Sequence, residues 1–257
     1  DLLKSGLSRR HIISATEECL RRLKTDWIDV LFCHKYDANC PVDETLSALD
    51  HLVREGKVRY TGFSNWPAWR AASALERQRS RGYDGFAAAQ VYYSLVGREL
   101  ENEVLPFCNE QGVGTVVWSP LAGGYLTGRY TEEDPSGNGG RLQSFDHIPV
   151  NREQGKAILS VLKRISEENG RTQAQIALAW LLARPISSVI VGVSSAQQLE
   201  SNLAASDIRL SSTELGALDE VSRIALPYPQ WCDHALTDRE LTAAIRSPYA
   251  ADNDGGS

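Results

Sequence analysis

The chain of 257 residues has the composition of an ordinary globular protein, with 42% hydrophobic and 23% charged residues. Its formal net charge of -6 argues against a general binder of nucleic acid or of anionic membrane, because both carry negative charge. No apolar run approaches the roughly 20 residues that span a bilayer. The five cysteines are scattered and form no C-x-x-C pair, which favours reduced thiols, no metal site and a cytoplasmic location.

Helical and strand patterns alternate along the first part of the chain, beginning with Ser8 as a plausible N-cap. The predicted elements are a helix from Ser8 to Lys24 with Ile12, Cys19, Leu20 and Leu23 on one face, a strand over 27–33, a helix over 41–57, a strand over 58–64, a helix from Pro67 to about Arg79 and a strand over 86–93.

The same alternation continues to about residue 224. The predicted elements are a helix ending at Gly112, a strand over 114–121, a polar loop over 127–151, helices over about 152–169 and 172–184, a strand over 187–192 and helices over 195–205 and 212–224. We expect a main domain over residues 1–225 and a tail over 226–257, with a possible helix at 237–246 and a disordered end.

Alternating strands and helices predict an α/β fold with a parallel sheet and helical crossovers. A doubly wound sheet usually carries an early G-x-G-x-x-G phosphate loop, and no such motif follows a strand here. An eight-stranded (β/α)8 TIM barrel places its functional groups at the strand C-termini, where this chain repeatedly has polar residues. The barrel is therefore favoured, although only five strands are found.

Four successive strand ends carry hydrogen-bonding or stacking side chains. They are His34, then Ser64 and Asn65, then Gln90, then Trp118 and Ser119. A lone histidine in such a place is more often structural than functional. The accompanying residues change that balance, because Ser, Asn and Gln supply the donors and acceptors that a carboxamide needs and Trp118 offers a stacking surface.

A second cluster lies in the segment VIVGVSSAQQLESN, residues 189–202. A strand ends at Gly192, and Ser194 or Ser195 opens a helix with Gln198 and Asn202 on one face. Hydroxyls and free N–H groups at a helix start can bind phosphate. Taken by itself, however, this segment is equally explained as the start of an ordinary helix with an N-cap and no ligand. Taken together, the two clusters indicate an elongated ligand with an amide at one end and phosphate at the other, which is a dinucleotide.

Five segments, in order, resemble the aldo-keto reductase family. They are LRRLKTDWIDVLFCHKYD, REGKVRYTGFSNW, AAQVYYSL, VVWSPLAGGYLTGRY and VIVGVSSAQQLESN, within residues 8–222. Within the fourth and fifth segments, SPLAGGYLTG and GVSSAQQL look most like the branch with bacterial reductases and potassium-channel β subunits. The resemblance implies a (β/α)8 barrel of which this chain supplies about strands 4–8.

The resemblance also implies roles for the polar residues. His34 would be the fourth member of an Asp–Tyr–Lys–His tetrad and would polarise the substrate carbonyl. NADPH would be bound along its whole length. Its carboxamide would be held by Ser64, Asn65 and Gln90, and its nicotinamide ring would stack on Trp118. The pyrophosphate would be bound by Ser119, Leu121, Gly123 and Arg129, and the adenosine end by Gly192, Ser194, Gln198 and Asn202. Arg141, with Arg129, would contact the 2′-phosphate of NADP.

In the family the Asp, Tyr and Lys of the tetrad precede the strand that ends at the histidine. Residues 1–26 contain no tyrosine, and at about 30 residues per βα unit some 90 residues would be lacking. The first hypothesis is accordingly part of an NADPH-dependent reductase of aldehydes or ketones, acting on a small carbonyl substrate. The alternatives are a cofactor-binding regulatory subunit like the channel β subunits, and an inactive truncated reductase. His34 favours the enzyme, because those subunits resemble this chain but carry another residue there.

Overall fold

The computed structural model describes residues 4–130 and 148–232 of the chain. Its strands are β1 (Ile28–Cys33), β2 (Val58–Ser64), β3 (Ala88–Tyr92), β4 (Gly114–Trp118) and β5 (Ser188–Val189). Its helices are α1 (Arg9–Leu23), α2 (Val42–Arg54), α3 (Ala68–Ser80), α4 (Val104–Gln111), α5 (Arg152–Asn169), α6 (Gln173–Leu182), α7 (Ala196–Leu203) and α8 (Ser212–Val221), with 3-10 turns at Glu99–Asn102, Ala122–Thr127 and Ala204–Asp207.

The five strands form one parallel sheet in the order β1-β2-β3-β4-β5. A doubly wound sheet would show a reversal of strand order, and these strands show none. Each strand therefore lies beside the next one along the chain, as successive βα units of a barrel do. The predicted α/β architecture with five parallel strands is confirmed.

Local sequence explains why the helices form where they do. The Ser8 hydroxyl accepts a hydrogen bond from the His11 N–H at the start of α1, as a helix N-cap does. In α2, three leucines at helical spacing are completely or almost completely buried: Leu46, Leu49 and Leu52. These helices are amphipathic, and their apolar sides cover the sheet.

Two expectations were wrong in detail. Leu23, predicted on the same helix face as the buried Ile12 and Leu20, is 65% exposed, because α1 ends there and Lys24 adopts a left-handed conformation with φ 55°. The strand predicted over 187–192 is limited to β5, which pairs only with β4. Beyond it, the Ile190 N–H still donates to the Val117 carbonyl, so the parallel course continues briefly.

The two faces of the sheet differ in how they are covered. Side chains alternate between faces along a strand, and Cys33, Phe63, Ala89 and Val117 are buried on the face that the helices cover. On the opposite face, here called the inner face, strand alternation and register place a row of side chains on neighbouring strands. That row includes Phe32, Tyr60, Ser64, Gln90, Tyr92, Val116 and Trp118. Most of these are partly exposed, and Tyr60 is 61% exposed.

Backbone contacts separate the chain into a unit ending at Arg223 and a second unit from Ile224, of which residues 224–232 are described. The domain boundary at residue 225 stays a prediction. Arg141, the helix at 237–246 and the chain end fall outside the described residues. All five cysteines are free thiols, and no helix within 4–130 or 148–232 is both long and apolar enough to cross a membrane.

Candidate functional site

The ends of β1 and β2 are joined by the side chain of Asn65. Ser64 is the last residue of β2 and is fully buried, whereas Asn65 and His34 are exposed. The Asn65 Nδ2 donates to Ser64 Oγ at 2.9 Å and to the His34 carbonyl oxygen at 3.3 Å. Asn65 has φ 56°, a left-handed conformation that asparagine tolerates better than most residues.

The end of β4 joins the same group. Trp118 Nε1 donates to Asn65 Oδ1 at 3.1 Å, and the indole ring packs on Tyr92 with 5.1 Å between ring centroids. Gln90 pairs in register with Ser64 on one side and with Val116 on the other. The predicted carboxamide-binding residues Ser64, Asn65 and Gln90 therefore lie on adjacent strands beside Trp118.

A cavity of about 820 Å³ opens where β4 ends. It is lined by the loop from Ser119 to Arg129, by the start of α6, and by the segment from Val191 into α7. Eight of the residues predicted to bind cofactor line it together: Ser119, Leu121, Gly123, Arg129, Gly192, Ser194, Gln198 and Asn202. The loop that follows β4 and the cluster in residues 189–202, about 70 residues apart in the chain, thus form walls of a single cavity.

The loop after β4 is conformationally unusual. Ser119 and Ala122 are non-glycine residues with φ 51° and 49°, and Gly123 and Gly124 follow with φ 64° and 95°. A left-handed conformation costs a non-glycine residue roughly 1–2 kcal/mol, so the surrounding structure must hold this loop in place. The strain is located at the wall of the cavity.

The electrostatic character of the cavity favours an anion. Both α6 and α7 start at its wall, through Thr172 and Ala174 in one case and Ser194 and Gln198 in the other. Helix N-termini carry a partial positive charge and free N–H groups. Arg129 adds a full positive charge, and none of the described residues lining the cavity is acidic.

The sequence pattern that defines the aldo/keto reductase family matches residues 2–223. The chain belongs to the aldo/keto reductase family. Its five parallel strands are thus part of the (β/α)8 barrel of that family, as predicted.

Individual relatives have names of two kinds. A probable voltage-gated potassium channel subunit beta of Arabidopsis thaliana is 35% identical over 88% of this chain and 70% of its own length. An aldo-keto reductase of Fusarium vanettenii is 34% identical over 84% of this chain and 58% of its own length. A versiconal hemiacetal acetate reductase of Aspergillus parasiticus is 32% identical over 85% of this chain and 64% of its own length. The chain thus spans roughly three fifths of the reductases that it matches, and is related to oxidoreductases.

Several cavity residues of this family member were not anticipated from its sequence. They include Gly124, Thr127, Thr172, Ala174 and Ser201. Thr172 and Gln175 form a capping box at the start of α6, which the T-x-x-Q spacing signals. That signal predicts a helix start, but nothing local indicates that this start faces the segment after β4.

The residue after Asn65 is enclosed by other aromatic side chains. Trp66 is buried between Tyr36, Phe63 and Phe86, so packing is its role. No group of three or more His, Cys, Asp or Glu side chains in the described part of the chain is arranged to hold a metal ion.

Proposed function

We propose that this chain supplies the cofactor-binding part of an NADPH-dependent oxidoreductase that reduces aldehydes or ketones to alcohols by hydride transfer. The observation that carries the proposal is the cavity at the end of β4, where two helix N-termini and Arg129 converge. Its volume of about 820 Å³ lies within the range of cofactor sites, about 300–1,000 Å³. The cavity starts at Ser119, directly after Trp118, so one elongated ligand can reach both the inner face and the cavity.

The residues fit the parts of such a cofactor in order. Ser64, Asn65 and Gln90 provide donors and acceptors for a carboxamide, and Trp118 provides a flat surface for a ring. The loop from Ser119 to Arg129 and the starts of α6 and α7 favour phosphate groups. When bound, the nicotinamide supplies the hydride.

His34 is the proposed substrate-polarising residue. It follows β1 at the same end of the sheet as Asn65, with an exposed imidazole. Hydride addition to a carbonyl builds negative charge on the oxygen, and an imidazole N–H donor placed there stabilises that charge. Removing the donor, in His34→Ala of the complete protein, is expected to lower turnover by about 10²-fold or more while leaving NADPH affinity nearly unchanged. Weaker NADPH binding with normal turnover at saturation contradicts this role.

The preference for NADPH over NADH is assigned to Arg129, with Arg141 as a second contributor outside the described residues. A hydrogen bond between charged groups is worth about 1.5–3 kcal/mol, so Arg129→Gln is expected to weaken NADPH binding by about tenfold or more. NADH, which lacks the 2′-phosphate, should lose less affinity. Fluorescence titration of both cofactors measures this.

Arg164→Gln is the matched control for Arg129, because Arg164 pairs with Glu168 on the exposed side of α5. It should bind both cofactors as the unaltered protein does. Equal losses for NADPH and NADH in Arg129→Gln contradict the assignment of the 2′-phosphate to this residue. Failure of the unaltered protein to bind either cofactor contradicts the proposed function.

The second candidate is a regulatory protein that binds cofactor without rapid turnover. Two relatives that are named as probable voltage-gated potassium channel subunits beta favour it. Mixing the NADPH-loaded protein with an aldehyde separates the two candidates, since only a reductase oxidises the bound NADPH on the timescale of seconds. The cytoplasmic location stays a prediction.

A further inference from the structure

The side chain of Gln175 joins the first turn of α6 to α7. Its Oε1 accepts a hydrogen bond from the Thr172 N–H at 3.0 Å, and its Nε2 donates to the Ser201 carbonyl oxygen at 2.8 Å. A backbone N–H can only donate and a carbonyl oxygen can only accept, so both partners require the same orientation of the amide. Gln175 is only 8% exposed, and the loss of either bond would therefore leave a buried polar group without a partner.

Both partners of Gln175 lie at the wall of the cavity. Thr172 lines the cavity at the start of α6, and Ser201 lines it from α7, next to Asn202. Gln175 itself is not among the described residues that line the cavity. Its two bonds therefore connect two walls of the cavity without bringing the amide into contact with a ligand.

The short helix α7 depends on bonds of this kind. It has eight residues, and none of those described is buried. Two of its leucines remain partly exposed, Leu199 at 38% and Leu203 at 59%. A helix of this length is marginal in water by itself, so contacts with neighbouring elements must hold it in place. Gln175 supplies a buried contact directly before Asn202.

We infer that Gln175 is a positioning residue, which holds α7 against the start of α6 and thereby orients the residues that receive the adenosine end of the cofactor. The inference rests on the proposed function. Three of the residues proposed for that end lie within α7 or just before it, namely Ser194, Gln198 and Asn202. The nicotinamide end is assigned to the strand ends around Trp118, so a displaced α7 should affect one end of the cofactor and spare the other.

The test measures the two ends of the cofactor separately, by calorimetric titration of the complete protein. Adenosine 2′,5′-bisphosphate represents the adenosine end, and reduced nicotinamide mononucleotide represents the other end. Gln175→Met removes both side-chain hydrogen bonds without adding charge. We expect it to weaken binding of the bisphosphate by about three- to tenfold, the value of one hydrogen bond, and to change binding of the mononucleotide by less than about twofold.

Gln175→Glu distinguishes the two hydrogen bonds. A glutamate at this position still accepts from the Thr172 N–H, as in other capping boxes, but it cannot donate to the Ser201 carbonyl. It should therefore weaken binding of the bisphosphate at least as much as Gln175→Met does. Because it retains the capping box, it also tests the inference if Gln175→Met does not fold. A loss in Gln175→Glu with none in Gln175→Met overturns the inference, since the added negative charge then explains the loss.

Glu214 on α8 provides the matched control. It forms the same kind of capping box with Ser211 and also bonds a neighbouring helix, through Asn169 at the end of α5, but it does not line the cavity. Glu214→Met should therefore leave the binding of both probes unchanged.

Three results would contradict the role of Gln175 while leaving the proposed function intact. They are unchanged binding of the bisphosphate in both Gln175 variants, equal losses for the two probes in Gln175→Met, and a loss of bisphosphate binding in Glu214→Met that matches the loss in Gln175→Met. The last two would show a general effect on stability. If the unaltered protein binds neither probe and does not bind NADPH, the proposed function fails together with the inference.

Discussion

Asp219 on α8 is the centre of the most heavily buried ionic cluster among the described residues that form ion pairs. Its Oδ1 accepts from Arg184 Nη2 at 2.6 Å, from Trp180 Nε1 at 3.0 Å and from Arg98 Nη1 at 3.3 Å. The two guanidinium groups also lie over the Trp180 ring, at 4.4 and 5.3 Å from its centroid. The cluster ties α6 and α8 to the segment after β3, so we expect Asp219→Asn to destabilise the fold.

The magnitude follows from burial. The side chains of Arg98 and Arg184 are only 11% and 20% exposed, and that of Asp219 is 34% exposed. Removing one partner of a fully buried ion pair costs about 3–5 kcal/mol, and partial exposure of Asp219 reduces this. Arg98 retains Glu101, whereas Arg184 has a buried Nε without a partner and loses its carboxylate. We therefore expect a loss of about 2–3 kcal/mol.

Asp43 provides a matched control, since it also pairs with two arginines. Arg77 and Arg81 lie 3.0 and 3.1 Å from its carboxylate, but the Asp43 side chain is 43% exposed. Exposed ion pairs contribute about 0–1 kcal/mol to stability. Asp43→Asn should therefore cost about 1 kcal/mol or less, even when the favourable position of the carboxylate in the first turn of α2 is counted. Urea unfolding at constant pH and ionic strength measures both variants. Equal losses for the two would refute the argument from burial.

Three other predictions concern packing and ionisation. Gly62→Ala should lower the free energy of unfolding by about 1–3 kcal/mol, since an added Cβ would lie 2.6 Å from the Ala88 carbonyl oxygen, and an unchanged stability contradicts the packing argument. Gly56→Ala, with open space around its Cβ but φ 71°, should cost only the backbone strain of about 1–2 kcal/mol. Burial raises the pKa of the Cys33 thiol from 9.0 to about 12. The contribution of this buried thiol to the free energy of unfolding is therefore fully present below pH 9 and is lost as pH rises toward 12. Stability should fall there by up to about 1.4 kcal/mol per pH unit more steeply than in Cys33→Ala, and identical slopes in urea unfolding contradict this. In the native protein a thiol reagent should modify Cys19 faster than Cys33, Cys40 and Cys108, which are buried; equal rates by mass spectrometry contradict the burial pattern.

The alternation of strands and helices was predictable because each βα unit is encoded locally. Ser8 and the leucines of α2 are examples, where a hydroxyl cap and a spacing of three residues identify the helix and its buried side. The length of β5 was not predictable in this way. Its apolar residues favour a longer strand, but pairing on only one side limits it to Ser188–Val189.

The predicted site residues illustrate a second limit. Motifs and strand ends led to the prediction of Ser64, Asn65 and Trp118 as site residues, but the hydrogen bond between Asn65 and Trp118 joins residues 53 positions apart. That bond depends on the register of three strands, which the sequence does not express locally. The same holds for Thr172, whose capping signal is clear but whose place in the cavity depends on how α6 packs.

Backbone strain links the stability of the fold to the candidate site. Among the described non-glycine residues with positive φ, three lie at the site, namely Asn65, Ser119 and Ala122. Glycine adopts the φ 51° of Ser119 without the clash of a Cβ, so Ser119→Gly should raise the free energy of unfolding by about 0.5–1 kcal/mol. Asn65→Gly should instead lower it by about 1–2 kcal/mol, because asparagine already tolerates this conformation and the substitution removes its hydrogen bonds to His34, Ser64 and Trp118.

Ser119→Gly should also weaken the binding of cofactor. Ser119 lines the cavity and begins the loop that ends at Arg129, so a more flexible residue there must be ordered when a ligand binds. We expect Ser119→Gly to be more stable in urea and to bind NADPH about two- to fivefold more weakly, a change of about 0.4–1 kcal/mol. Such an opposition is expected where strain serves a binding site rather than the fold. A variant that is more stable and binds NADPH equally well would show that the strain at Ser119 is unrelated to the site.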